Sequence, residues 1–254
     1  MDLLSDSTHI LRVTAPDGSA VPITVEWQGE TAFTLTAPAV IDTAIHSLIR
    51  DIFLRLSKAS LQYVTDIIPA YHTLTIVFDP AALHRPIPGD MNGNMVLDEV
   101  LCHLGADDTT EQKEKRRIRL PVCYHPSLAP DLKALAAELQ MDTEELISLH
   151  CSPTYRVFML GFLPGFAYMG PVDARIAAPR LARPRQKVPA GSVGIAGSQT
   201  GIYPIDSPGG WQLIGKTPLQ LFTPNLLPPC LLHPGDEVIM YPISLDAFHQ
   251  WPVS

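Results

Sequence analysis

The sequence predicts a small α+β domain at the N-terminus, followed by a mainly-β domain of short strands arranged as a barrel or sandwich. Three observations carry this expectation. The 254-residue chain holds 25 prolines, about twice the roughly 5% of average usage. Fifteen of them, with 11 of the 16 glycines, fall in residues 151–254. Proline breaks helices and is excluded from central strands, so this part is short strands joined by tight turns. In the first hundred residues, apolar positions recur both at period two and at spacings of three and four, which mixes strands with helices. Finally, 46% hydrophobic and 17% charged residues leave enough apolar surface for one or two cored domains and exclude a disordered chain.

The elements follow in order. Residues 21–36 contain two alternating apolar runs around Gln28, Gly29 and Glu30, a strand, turn and strand. Ile41, Ile45, Leu48, Ile49, Ile52, Phe53 and Leu56 then form one helical stripe. Tyr71 to Phe78 is a β-branched and aromatic strand closed by Asp79 and Pro80. Turn residues gather between Pro86 and Gly93, and Met95 to Leu104 is a second amphipathic helix. Residues 1–104 thus make the α+β domain, and 105–119, the most polar run, a charged linker with a basic end.

The second domain occupies 120–254. Leu120 to Tyr124 is a short strand, and a helical pair fills 130–150: Pro130 opens the first helix, and Asp142 with Glu145 caps the second. Strands are expected at Tyr155 to Phe162, Val193 to Ala196, Ile202 to Ile205, Trp211 to Ile214, Leu219 to Phe222 and Glu237 to Tyr241, each bounded by turn residues.

Composition excludes several function classes. A net charge of -8, with no basic face on the second helix of the pair, argues against a nucleic-acid partner, because phosphate binding relies on clustered Lys and Arg. The longest apolar run, Val157 to Gly170, is interrupted by Gly161, Pro164 and Gly165 and falls short of the roughly 20 residues a membrane helix needs. With acidic residues at the start where a secretory signal is basic, a cytoplasmic location is expected. Cys102, Cys123, Cys151 and Cys230 are scattered without a CxxC pair and the nine histidines do not cluster, so reduced structural thiols and no metal site are expected.

Three features could carry chemistry. Gly191, Gly194, Gly197 and Gly201 recur within VPAGSVGIAGSQTGIYP (188–204) and could bring backbone N–H groups to an anion or simply serve barrel turns; no phosphate loop, GxGxxG or GxSxG accompanies them. Just upstream, Arg175, Arg180, Arg183, Arg185 and Lys187 place five cations on a proline-stiffened segment with no acid, an anion site if they converge and solvated surface if they do not. Gln199, Thr200, Tyr203 and Trp211 could orient and cover a small planar amide, or be barrel core.

Taken together, these features resemble a known family. GFLPGFAY (161–168), APR with RPRQKVPAGSVGIAG (178–197), QTGIYP (199–204) and SPGGWQLIG (207–215) are similar to the B component of bacterial 5-oxoprolinase, also called allophanate hydrolase subunit 1. Weaker similarity extends over roughly 21–243, with a departure at His125 to Ala129, where relatives carry a glycine pair and an acidic loop. The resemblance implies a cyclophilin-like barrel. It implies one part of an ATP-dependent hydrolase, nearly inactive alone, that opens the 5-oxoproline lactam to L-glutamate. Its partners in that reaction are the A component and the C component, the latter a second cyclophilin-like protein. Two other readings attach to the same family: the carboxyltransferase part of a urea or amide carboxylase, with biotin carried on a separate protein, and a non-catalytic inhibitor of a sporulation histidine kinase. In the enzymatic readings Arg185 and Lys187 are the expected catalytic cations. Substrate binding is expected from Arg156, Phe162, Pro164, Phe166, Gly191, Ser192, Gln199, Thr200, Tyr203, Gly210 and Trp211.

Overall fold

Apolar strand faces and the helical stripe assemble as their spacing requires. The computed structural model describes residues 9–15, 18–40, 42–59, 61–83, 93–104 and 116–252. Ile41 of the helical stripe, the turn-rich segment before Gly93 and residues 105–115 of the charged linker lie outside these. The chain divides into two compact units, Met1–Lys113 and Glu114–Ser254.

The first unit runs β1 (His9–Thr14), β2 (Ala20–Trp27), β3 (Ala32–Thr36), α1 (Thr43–Lys58), β4 (Val64–Pro69), β5 (Thr73–Phe78), α2 (Pro80–Leu83) and α3 (Gly93–Leu104). Its antiparallel sheet has the order β1-β2-β3-β5-β4. Ile23, Val25, Phe33, Leu35, Leu74 and Ile76 pack with Ile45, Leu48, Ile49, Ile52 and Leu56 of α1. The Asp42 carboxylate starts that helix by accepting from the N–H groups of Ala44 and Ile45 at 2.7 and 3.0 Å. The two strands the sequence reading missed, β1 and β4, are the sheet edges. β4 alternates only between exposed and half-buried positions, so its apolar period is weak.

The second unit runs β6 (Arg117–Cys123), α4 (Leu132–Glu138), α5 (Thr143–Cys151), β7 (Thr154–Leu160), β8 (Ala167–Gly170), β9 (Arg185–Val188), β10 (Ser192–Ala196), β11 (Gln199–Ile202), β12 (Ser207–Gly209), β13 (Gln212–Lys216), β14 (Glu237–Ile243) and α6 (Leu245–His249). Seven strands close a barrel in the order β10-β11-β8-β7-β14-β6-β13, while β9 and β12 form a separate two-stranded ribbon. The small α+β domain followed by a mainly-β barrel is therefore the architecture of the chain. Pairing is antiparallel except between β6 and β14.

Three details differ from the expectation. β6 begins at Arg117, inside the run read as charged linker, and an Arg117–Glu237 ion pair of 3.0 Å joins it to β14. The strand expected at Ile202 to Ile205 instead ends at Ile202. Leu219 to Phe222 makes only a single bridge, Phe222 to Cys230, because Pro218 and Pro224 flank it and remove ladder donors.

Two apolar layers result. Leu120, Val122, Tyr155, Val157, Val193, Ile195, Ile202, Ile214, Val238 and Met240 share one core with Leu132, Leu135 and Leu146 of α4 and α5. On the other face Phe166, Val188, Ala196, Tyr203, Trp211 and Leu213 form a second cluster. Neighbours Leu213 and Ile214 fall in different clusters, as the alternation of strand side chains requires.

Candidate functional site

The best-defined charged arrangement centres on Arg185, at the start of β9. Its Nη2 donates to Asp131 Oδ1 at 2.5 Å. The other carboxylate oxygen of Asp131 accepts from the Leu213 N–H at 2.6 Å, and the Asp131 N–H donates to the Leu213 carbonyl at 3.0 Å. Asp131 is buried and stands just before α4 without capping it. One carboxylate thus ties the helix start, β13 and the guanidinium together. Nη1 of Arg185 is buried and has no hydrogen-bond partner among the described residues. A buried charged donor without an acceptor costs about 1–3 kcal/mol or more; the side chain as a whole is 29% exposed, and it is this open part that can meet an anionic acceptor.

Beside it lies an aromatic wall. The Phe166 ring stands 4.7 Å from Tyr168, 5.1 Å from Tyr203 and 5.4 Å from Trp211, mostly edge to face. Phe162 meets Phe166 at 5.7 Å from an exposed loop position with φ of +69°. Burial pushes the Tyr203 phenol up from its ordinary pKa. A hydrogen bond from the Trp211 backbone N–H and the nearby charges of Arg180 and Arg185 oppose that shift, and Tyr168 adds to it. Burial likewise raises Tyr168, against the charge of Arg180.

The expected ligand residues lie in several different settings. Trp211 and Tyr203 are 4% and 1% exposed; their rings pack into the wall and present no open face for stacking. Thr200 is fully buried, donates to the Gly194 carbonyl at 3.1 Å and meets His150 Nε2 at 2.9 Å, so its hydroxyl is committed inside the barrel. The Gly191 N–H donates to the Tyr203 carbonyl at 2.7 Å and the Ser192 N–H to the Pro189 carbonyl at 3.2 Å; these donors are not free to cradle an anion. Arg156 lies on β7, which three strand steps along the closed barrel separate from β13. Lys187 is 73% exposed and paired with Asp206 at 2.9 Å. Phe162, Pro164, Gln199 and Gly210 remain at least partly exposed, and Phe166 is the buried centre of the wall.

The glycines are explained by packing. A Cβ on Gly201 would stand 3.0 Å from both the Phe166 and Trp211 rings, and one on Gly209 would stand 2.3 Å from the Tyr203 hydroxyl. Gly191 combines φ of +81° with a would-be Cβ only 2.5 Å from the Thr217 carbonyl oxygen. Gly191→Ala is therefore expected to destabilise the protein by about 3 kcal/mol. Gly197→Ala, at φ of +60° in open space, should cost only about 1 kcal/mol. Denaturant midpoints of the two variants check this, and equal losses would contradict it.

Asp131 is the residue that the sequence reading left out of the site; Arg180 entered there only as one of five candidate cations. No group of three or more His, Cys, Asp or Glu side chains among the described residues could hold a metal ion, and no described helix is long and apolar enough to cross a membrane.

The carboxyltransferase domain, subdomain C and D, family model matches residues 23–232. The chain is 37% identical over 232 residues to the B component of 5-oxoprolinase from Bacillus subtilis (strain 168), covering 89% of this chain and 95% of that protein. It is 38% identical over 216 residues to the B component of 5-oxoprolinase from Escherichia coli O157:H7, covering 84% and 93%. Among solved structures, TTHA0988 superposes with a TM-score of 0.71 at 32% identity, over 84% of this chain but 40% of that one. The chain thus spans about two fifths of that longer protein.

Proposed function

The chain belongs to the family of the 5-oxoprolinase B component, within the carboxyltransferase domain of subdomains C and D, and we propose that it is one part of an ATP-dependent 5-oxoprolinase. In this reading it works with homologues of the A and C components to open 5-oxoproline to L-glutamate. The observation that carries the reading is similarity over nearly the whole length of both the chain and the named relatives.

The site supplies chemistry that suits the reaction. A lactam carbonyl is a poor electrophile and must be activated; phosphoryl transfer from ATP would do so and builds negative charge on oxygen. Arg185, held in place by Asp131 with Nη1 still unbonded, is a fixed cation able to stabilise such charge with little reorganisation. The glycine-rich turn does not fit a triphosphate, because the N–H donors of Gly191 and Ser192 are already used. No step is therefore assigned to nucleotide on this turn, and ATP is taken to bind elsewhere in the assembly.

The test is co-purification with candidate A and C components, followed by assay of glutamate and ADP formed from 5-oxoproline and ATP. Coupled turnover is expected only in the assembly. Arg185→Ala should lower it by about 100-fold, the scale of removing one charge-stabilising group, and Lys187→Ala far less. A stable complex without coupled turnover would count against the reading. The family description itself motivates one rival, a carboxyltransferase acting on a urea-type substrate; turnover that needs a biotinylated partner and urea would favour it.

A further inference from the structure

We propose that Arg180 selects an anionic substrate by binding its carboxylate beside the aromatic wall, so that the site takes a small cyclic amide acid rather than a neutral ureido compound. This rests on the reading above and names the substrate feature that the chain recognises.

The first support is an inventory of charge. Of the five cations between Arg175 and Lys187, three are opposed by carboxylates. Arg175 pairs with Asp173 at 2.8 Å, Arg185 with Asp131 at 2.5 Å and Lys187 with Asp206 at 2.9 Å. Arg180 and Arg183 are exposed and form no ion pair among the described residues. Of these two, Arg180 stands between Pro179 and Leu181, whose backbone is bonded to Gln212 and Gly210 on either side of Trp211, and its charge acts on the phenols of Tyr168 and Tyr203. Around the wall, Asp131 cancels Arg185, and Arg180 leaves one positive charge in excess. A monoanion neutralises it. A neutral ligand gains nothing from that charge.

The second support is rigidity. Ala178 and Gly197 exchange backbone hydrogen bonds of 3.2 and 2.6 Å. The Gln212 side chain donates to the Pro179 carbonyl at 3.2 Å, and the Leu181 N–H donates to the Gly210 carbonyl at 2.7 Å. The residues on both sides of Arg180 are therefore fixed, one of them a proline. Little backbone entropy is lost when its guanidinium engages a carboxylate in a forked pair. Tyr168 is only half-buried and offers apolar surface to a flat lactam ring next to that charge.

The experiment compares two ligands that differ only in the carboxylate, 5-oxoproline and 2-pyrrolidinone, in the assembled complex. Arg180→Gln should raise the KM for 5-oxoproline by about 10- to 100-fold, the range for losing a charge-assisted pair, with a smaller change in kcat. Inhibition by 2-pyrrolidinone should stay within about twofold, and Arg180→Lys should recover part of the loss. Arg183→Gln, an equal change in net charge, should leave the KM within about twofold. Turnover in the unmodified complex with an unchanged KM in Arg180→Gln overturns the role of Arg180 and leaves the proposed function standing. So does an equal weakening of 2-pyrrolidinone, which would mean that the substitution damages the wall rather than a carboxylate contact. Absence of 5-oxoproline turnover in the unmodified complex overturns the functional reading, and this inference with it.

Discussion

Replacing Asp131 with alanine is expected to lower the stability of the barrel unit by about 3 kcal/mol and to take coupled turnover down with it. The carboxylate has two buried obligations: it accepts from the Leu213 N–H at 2.6 Å and from Arg185 Nη2 at 2.5 Å. Alanine would leave a backbone donor and a part-buried guanidinium without acceptors, and breaking a buried pair on one side costs more than the pair is worth. Because the Arg185 side chain is 29% exposed, the effect should fall at the lower end of the range for buried pairs. Asp131→Asn keeps an acceptor for Leu213 but not the charge. It should recover roughly half the stability and little of the activity. Denaturant midpoints together with a double-mutant cycle against Arg185→Met check this, with a coupling of at least about 1 kcal/mol expected. Additive losses in the cycle would mean that Asp131 supports β13 alone and does not position Arg185.

The same residue illustrates what a single sequence can and cannot reveal. Asp131 follows Pro130 and reads locally as a helix opener, yet it makes no capping bond. Its partners are 54 and 82 positions away, and long-range pairing of that kind leaves no periodic trace. Where burial is one-sided and local, the reading succeeded: the α1 stripe, the Asp142 cap that accepts from the Glu145 N–H, and β14; β10, buried along its whole length, was legible from the turn residues around it. It failed for β9 and β12, because a ribbon of three or four residues with polar side chains has too few alternations to stand out. The aromatic cluster was visible as composition but not as architecture. A local signal did exist in the glycines of QTGIYP and SPGGW, since glycine next to bulky rings marks close approach of backbone to ring, which is how Gly201 and Gly209 are used. The five cations were visible too, but only the structure separates those neutralised by Asp131, Asp173 and Asp206 from Arg180.

Acid is expected to weaken the barrel through His150, a side chain that is fully buried at the end of α5. The bond directions follow from one another. Thr200 donates its proton to the Gly194 carbonyl, so at 2.9 Å it accepts from His150 Nε2–H. That leaves Nδ1 to accept from the Tyr124 hydroxyl at 2.8 Å. Cys151 stands 3.2 Å from the same hydroxyl, and the Tyr155 hydroxyl donates to the His150 carbonyl at 2.7 Å. This chain holds the imidazole neutral, and burial lowers its pKa from 6.5 to about 3. Between those values the unfolded chain binds a proton that the folded barrel refuses. Stability is therefore complete above about pH 6.5 and is lost as pH falls toward 3, with a ceiling of about 5 kcal/mol from this group. His150→Gln removes the titrating group but keeps donor and acceptor atoms. It should cost about 2 kcal/mol at pH 7.5, and its gap to the unmodified protein should close by about 2 kcal/mol by pH 5. Urea unfolding at the two pH values decides the matter. A gap that is the same at both would show that His150 takes up its proton without opening the barrel.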